Sequence, residues 1–404
     1  VDIKAVFYER KAVTLATQMT KYGILIGAGV LILIHFMYLP SATQWLKDKY
    51  ISPFLGVFNK HLPKEILHSF KNKTVLLAGV AVGLTTAIRI VGPVAAGLVG
   101  LYFLLKAKGK AVAPSFSYLT TAAITVYLTW PYLWADPFSR VAEIWRLNSK
   151  FPFSGLVLFG GELIPANELP RTFLPTLISF QFTETVLILA GVGLILTFIN
   201  LKKNLFAWEK FFFLSSWFFI PFILIIITQP NLYDNFRQLL FITPPLLIFT
   251  GLALEKIYKS VSSKASFVLA LAIVLFPAIT ANIELHPYQY IYYNQFAGGV
   301  QGAYRHYELD YWGTSFQEAM GFVNDTAEPN AKVAVWGPAK IAAGYAREDL
   351  KVEAPGKARV SNYDYGLLLT RNNRDVYNIP RAPLLFSITR DGAVLSVVKK
   401  IQRP

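Results

Sequence analysis

Cysteine is absent from the 404 residues. Its absence excludes a disulfide scaffold, a thiolate zinc site and a cysteine nucleophile. Charge is also scarce, at 16% of residues against 54% hydrophobic and a mean hydropathy of +0.42. Soluble chains carry about 25% charged residues, so this composition points to membrane helices joined to some soluble part. The sequence has five histidines, His35, His61, His68, His286 and His306, and no two stand at the i, i+4 spacing of a helical metal site. A Walker A loop, a G-x-G-x-x-G turn, an H-E-x-x-H helix and a G-x-S-x-G elbow are all missing, which removes most nucleotide and hydrolase chemistry. No signal-peptide succession precedes the first apolar run, and the chain opens on Val1. The expectation is that residues upstream of Val1 belong to the natural protein.

What the chain has in excess is positive charge and apolar runs. Lys and Arg total 39 against 24 Asp and Glu, a net charge of +15. These basic residues lie between apolar runs, where they set membrane orientation, so nucleic acid is set aside as a partner. Read at about 20 residues per span, the runs are Tyr22 to Leu39, a Gly-rich pair at Thr74 to Ala87 and Val91 to Leu105, and then Ala111 to Trp134, Glu184 to Leu201, Phe211 to Thr228, Leu239 to Leu254 and Ala265 to Ile283. That makes seven spans, or eight if the Gly-rich pair counts as two. Basic clusters at Lys106, Lys108 and Lys110, at Lys202, Lys203 and Lys210, and at Lys256, Lys259 and Lys264 share one parity and so one face, the cytoplasmic one. Ser41 to Lys73, with six lysines among Trp45, Phe54 and Phe58, suits an interfacial stretch or a plain loop equally.

The expected fold is therefore an α-helical multi-pass membrane bundle over residues 1–283, with an outer loop at 135–180. A small α/β domain over 284–404 is expected on the non-cytoplasmic side of a bacterial plasma membrane. In that domain Lys332 to Trp336 and Tyr365 to Leu369 read as buried strands, and Leu384 to Thr389 with Ala393 to Val398 as a hairpin around Asp391-Gly392. Helices are expected at about Ser315 to Asn324 and Ala339 to Ala346.

Candidate chemistry gathers on the expected outer side. Trp130-Pro-Tyr-Leu-Trp134, followed by Asp136, makes an aromatic wall for a lipid chain or sugar ring, and equally an interfacial belt. Phe159 to Arg171 is a Gly- and Pro-punctuated loop with carboxylates at Glu162 and Glu168. Tyr233-Asp234-Asn-Phe-Arg237 stands at a span mouth, where Arg237 forks a phosphate or snorkels to headgroups. His286 to Asn294 is dense in tyrosine and leads to Tyr307-Glu308-Leu-Asp310-Tyr311-Trp-Gly313. Glu308 and Asp310 would share a face in a strand, as an acid and base pair requires, or line a solvated loop.

With these residues in view, the chain resembles the C-type membrane glycosyltransferases that use polyprenyl-phosphate sugars, in particular the family 39, protein O-mannosyltransferase-like group. The resemblance rests on Leu76 to Arg89, Thr129 to Trp134, Leu158 to Glu162 through Pro170, Tyr233 to Pro245 and His286 to Gly313. It implies inverting transfer of a sugar from an isoprenoid phosphate to an acceptor protein or glycolipid at the outer face of the bilayer. It implies a donor phosphate held by Arg237 and Arg89, and substrate contacts from Trp130, Trp134, Asp234 and Tyr311. A base in the first outer loop is usual in this family, yet no acidic pair follows the first apolar run and Asp48 stands alone. Asp136, Glu162 and Glu308 are the remaining carboxylate candidates, and the chain as given is expected to turn over little substrate. No metal ligands are assigned, and a divalent cation is left open. The competing readings are a transporter of lipid-linked sugars, which should show repeats that this chain lacks, and a non-catalytic membrane subunit with an outer binding domain.

Overall fold

The computed structural model describes residues 62–402 apart from 150–152, 154, 201–207, 236, 262 and 357–359. The expected span Tyr22 to Leu39, most of the lysine-rich stretch after it, Asp48, His35, His61, Lys202 and Lys203 lie outside the described residues. The chain divides into two compact units, Val1–Arg140 and Val141–Pro404.

In the first unit α1 (Leu62–Ser69), α2 (Lys73–Ile88), α3 (Gly92–Ala107) and α4 (Val112–Thr129) follow one another with short breaks. Asn72 caps α2, its side chain accepting from the Thr74 and Val75 amides, which otherwise have no intrahelical partner. Gly79 and Gly83 put a cleared stripe of α2 against α4. Small residues four apart let two helix backbones approach closely.

α5 (Pro137–Ser149) leads into the second unit. There β1 (Leu156–Phe159) and β2 (Glu162–Pro165) form a hairpin whose turn residues, Gly160 and Gly161, both have positive φ. α6 (Phe173–Gln181) and α7 (Glu184–Asn200) meet at a bend of 109°. Three further helices follow: α8 (Trp208–Thr228), α9 (Pro244–Ser260) and α10 (Lys264–Glu284). α11 (Gly299–Ala303) and α12 (Phe316–Thr326) then precede a five-stranded sheet with β3 (Lys332–Trp336), α13 (Ala339–Gly344), β4 (Lys351–Glu353), β5 (Tyr365–Leu369), α14 (Arg374–Tyr377), β6 (Leu384–Arg390) and β7 (Ala393–Lys400).

The sheet order is β4-β3-β5-β7-β6. β3 runs parallel to both of its neighbours, with Val335 opposite Leu367, whereas β7 runs antiparallel to β5 and to β6. Asp391 and Gly392, at φ 45° and 74°, form the two-residue loop between β6 and β7, with the positive φ pair of a twist-matched hairpin. Phe316, Ala319, Met320 and Val323 of α12 pack on the Val333, Val335, Leu367 and Leu369 side chains. The same buried cluster continues without a break through Tyr288, Tyr293, Leu177, Phe173 and Val157. The core of the sheet is thus shared with the hairpin and α6, and the compact unit begins at residue 141 rather than at 284.

The multi-pass bundle of seven or eight spans is not what forms. Among the described residues two helices, α8 and α10, are long and apolar enough to cross a membrane, and counting the bent pair α6 and α7 as one makes three. α2 and α3 have 16 residues each. At 1.5 Å per residue they reach about 24 Å, short of a hydrocarbon core of about 30 Å. α4 has the length, but Ser, Thr and Tyr break its apolar run. α9 carries Glu255, Lys256 and Lys259 within its last turns. With the span count changed, the parity of the basic clusters no longer fixes a side. Lys256 and Lys259 sit on a helix rather than in a loop, Lys106 sits in the last turn of α3, and Lys108 to Lys110 lie between two helices that do not qualify as spans. The assignment to a multi-pass protein of the plasma membrane with its C-terminal domain outside is withdrawn on the same finding.

Candidate functional site

α8 ends at Thr228, and the chain then turns through Asp234 and Asn235, both at left-handed φ (54° and 58°). Asn and Asp tolerate that region better than other side chains. The turn sets Arg237 at the start of a 3-10 segment, Arg237–Ile242, that leads to α9. The Arg237 guanidinium is 2.6 Å from Asp234 Oδ2 and lies over two aromatic rings, Tyr233 at 5.6 Å and Trp312 at 5.4 Å. Its side chain keeps 28% of its surface exposed, while Asp234 is buried.

A second arginine closes the site from the sheet. Arg371 follows β5, and the two residues after it, Asn372 and Asn373, again take left-handed φ, 54° and 55°. Arg371 Nη2 lies 2.5 Å from Asp234 Oδ1, Nε lies 3.3 Å from Glu308 Oε1, and Nη1 donates to the Tyr311 carbonyl at 3.1 Å. One guanidinium thereby ties together three loops: the turn after α8, the Glu308 segment and the end of β5. Arg374 stands nearby, half-buried, and its pKa is lowered by burial and by the Arg371 charge, with Glu308 opposing.

Glu308 is 1% exposed, and burial pushes its carboxyl up to about 7; Arg371 opposes this and Asp234 adds to it. Its Oε2 is buried without a hydrogen-bond partner. The backbone around it is held firmly: Asn235 Nδ2 and the Tyr293 hydroxyl both donate to the Glu308 carbonyl, at 3.2 Å each. Burial drives the Tyr311 hydroxyl up to about 12, with Arg237 countering, so it stays protonated at neutral pH.

Asp310 does different work. Its Oδ1 accepts from the Gly313 amide at 2.7 Å, the Thr314 amide at 3.0 Å and the Tyr290 hydroxyl. Its Oδ2 accepts from the Ser315 amide at 3.0 Å and the Ser315 hydroxyl at 2.5 Å. Every lone pair is used, so Asp310 organises the start of α12 and the turn that presents Trp312. Gly313 is required there: its φ is 75°, and a Cβ would come within 2.7 Å of Pro338. Glu308 and Asp310 are therefore not an acid and base pair sharing one face of a strand.

Of the sequence candidates, Asp234, Arg237, Glu308 and Tyr311 converge here. Glu162 begins β2, exposed, opposite Phe159. Arg89, Trp130, Trp134 and Asp136 belong to the first unit. Arg89 ends α2, exposed, and Trp130 ends α4. Trp134 Nε1 donates to the Tyr127 carbonyl at 2.7 Å. Asp136 accepts from the Ser139 amide at 3.2 Å, and its hydrogen bonds with Ser139 hold its carboxyl below the ordinary value. Sequence reasoning missed Arg371, Arg374, Asn235 and the role of Tyr293. The signal for the arginines was their place just beyond the carboxyl end of a strand parallel to its neighbour, where open α/β sheets put their ligand sites.

Among the described residues no group of three or more His, Asp or Glu side chains could hold a metal ion. The cluster is instead suited to an anion: two guanidinium groups, one of them partly open, with aromatic faces beside it. No family model, curated protein or solved structure matches the chain.

Proposed function

We propose that this chain serves glycosyl transfer from a sugar carried on an isoprenoid phosphate, and that the Tyr233–Arg237 turn holds the donor phosphate. Arg237 carries the reading. It is a partly open guanidinium, oriented by Asp234 and flanked by Tyr233 and Trp312, and it follows within nine residues of the end of α8. A lipid whose tail lies along apolar helices puts its phosphate at the level of their ends, which is where this fork stands.

In the transfer, an acceptor oxygen bonds to the sugar C1 while the bond from C1 to the phosphate oxygen breaks. The electron pair stays on the phosphate, and the acceptor proton passes to a base. Guanidinium groups beside the phosphate favour this step because charge accumulates on the leaving group. Glu308 lies behind Arg371 and is closed to solvent, so in this reading it sets the charge of the cluster rather than meeting the acceptor.

The test is the affinity of farnesyl phosphate in nanodiscs for the wild type, Arg237→Lys and Arg237→Ala. A bidentate fork predicts that Lys fails although the charge remains, with a loss of roughly 1.5 to 3 kcal/mol, about tenfold or more in affinity. Equal affinities in all three folded proteins would return Arg237 to a snorkelling role.

A further inference from the structure

A cavity of about 320 Å³ opens where the α6–α7 bend, α9 and the last turns of α10 come together. That volume is within the range of small-molecule sites. Its lining mixes apolar side chains, among them Val186, Leu247 and Ala278, with polar but uncharged ones, among them Gln181, Asn282, Gln289 and Tyr292. No Asp, Glu, Lys or Arg lines it.

The polar side has a definite hydrogen-bonding character. Gln289 Nε2 donates to the Asn282 carbonyl at 3.3 Å and lies 3.0 Å from His286 Nδ1, which accepts its second hydrogen in the tautomer that leaves Nδ1 without a proton. Asn282 Nδ2 donates to the Ala278 carbonyl at 2.8 Å. What Gln289 has left to offer is a carbonyl oxygen, an acceptor. Tyr292 is a protonated donor at neutral pH, because burial and the neighbouring Glu184 push its hydroxyl up to about 12. Acceptors beside one donor match hydroxyl groups.

The surroundings select against an anion. A second cavity shares Ala281 and Tyr292 with this one and is lined by Glu184, Glu284 and Asp391. A phosphate or carboxylate placed here would lose its water, find no cation and face that negative wall. A bare alkyl chain would leave the amide oxygens unpaired. Of the helices that supply its apolar side chains, α10 is long and apolar enough to cross a membrane.

We infer that this cavity binds an amphiphile with an uncharged, hydroxyl-rich head and an aliphatic tail, of the class of glycolipids and alkyl glycosides. The head lies against Gln289, Asn282 and Tyr292 and the tail against Val186, Leu247 and Ala278. The ligand needs no phosphate, so the site is separate from the proposed Arg237 site and stands without it.

The chain has no cysteine, so a single one placed at Ala281 reports occupancy. The measurement is the rate of Ala281→Cys labelling by a small methanethiosulfonate reagent, in the full chain in nanodiscs. Additives below their micelle concentrations are octyl glucoside, octyl phosphate or octanol. Octyl glucoside is expected to slow labelling at least about fivefold, the effect of one or two net hydrogen bonds, and the others less than about twofold. Gln289→Leu should abolish the protection, and Arg237→Ala should leave it intact, which separates this site from the phosphate site. Octanol protecting as well as octyl glucoside, octyl phosphate protecting best, or no protection at all would each overturn the assignment. Ala278→Cys repeats the measurement on the same wall if Ala281→Cys fails to fold.

Discussion

Glu308 makes the fold itself sensitive to pH, and the sign follows from its burial. In an unfolded chain its carboxyl titrates near 4.5, whereas in the fold it is raised to about 7. Below pH 4.5 both states hold the proton and the group contributes nothing. Between those values the folded state keeps a proton that the unfolded state has lost, so stability falls as pH rises, and above pH 7 the penalty levels off. A gap of about 2.5 pH units at roughly 1.36 kcal/mol each gives a full penalty of about 3 kcal/mol. Solvent screening removes little of this, since the side chain has no exposed surface. The charges facing it are Arg371, Asp234 and Arg374, with the Tyr293 hydroxyl close by. Glu308→Gln keeps a carbonyl oxygen for Arg371 and cannot ionise. The assay is thermal unfolding of both proteins in detergent, followed by tryptophan fluorescence from pH 4.5 to 8. Other titrating groups cancel in the difference. Relative to the variant, the wild type should lose about 6 to 12 °C across that range, most of it between pH 5 and 7. Parallel curves would refute the reasoning, because they would mean that Glu308 stays ionised in the fold.

Three further substitutions test the packing around the site. Arg371→Met leaves the buried Asp234 and Glu308 without their shared cation and should cost roughly 3 to 5 kcal/mol in denaturant unfolding. Adding Glu308→Gln should recover part of that loss, and strict additivity would count against the coupling. Asp310→Asn gives up the ionised acceptor for the Gly313, Thr314 and Ser315 amides, so a loss of about 2 to 3 kcal/mol and faster proteolysis after Tyr311 are expected; an unchanged digestion pattern would contradict the role given to Asp310. Gly193→Val places a Cβ 1.8 Å from the Phe249 carbonyl oxygen where α7 crosses α9, which neither backbone can relieve locally. Folded yield should collapse, and normal stability would show that the two helices are not packed this closely.

Local chemistry was legible wherever it is written in short-range pattern. The strands at Lys332–Trp336 and Tyr365–Leu369 are continuous apolar runs bounded by polar residues, and the structure places β3 and β5 on those residues. The Asp391-Gly392 turn is equally plain, because few dipeptides adopt two positive φ values so readily. Span counting failed for a physical reason. Apolar content was read as membrane depth, yet 16-residue helices such as α2 and α3 are too short to cross alone, and charges inside α9 interrupt its run. The bend of 109° at Phe182 and Thr183 falls where the expected outer loop gives way to the expected span at Glu184; what the reading lacked is α6, because the apolar residues of Phe173–Gln181 make a run too short to count as a span and were left in the loop.

The site divides along the same line. Asp234 and Arg237 are three residues apart, and a tolerant Asp-Asn pair marks the turn that joins them, so their pairing could be approached from sequence. Arg371 could not be, because it reaches Asp234 and Glu308 across 137 and 63 positions, and only the packing of β5 against the shared core brings them together. The Glu308-Leu-Asp310 spacing left a strand face and a solvated loop open, and the segment is neither: it is a loop, but a buried one. The chain there is irregular, and its two carboxylates are drawn apart by different donors, Asp310 by the amides at the start of α12 and Glu308 by a guanidinium from the sheet. That division matters for function, since Asp310 spends both of its oxygens on donors at the start of α12, whereas Glu308 meets Arg371 at 3.3 Å, keeps its other oxygen buried without a partner, and has its carboxyl raised by burial to about 7. In the proposed reading Glu308 sets the charge of the cluster without meeting the donor phosphate, so the pH response of Glu308→Gln and the phosphate affinity of Arg237→Lys probe two separable parts of one cluster.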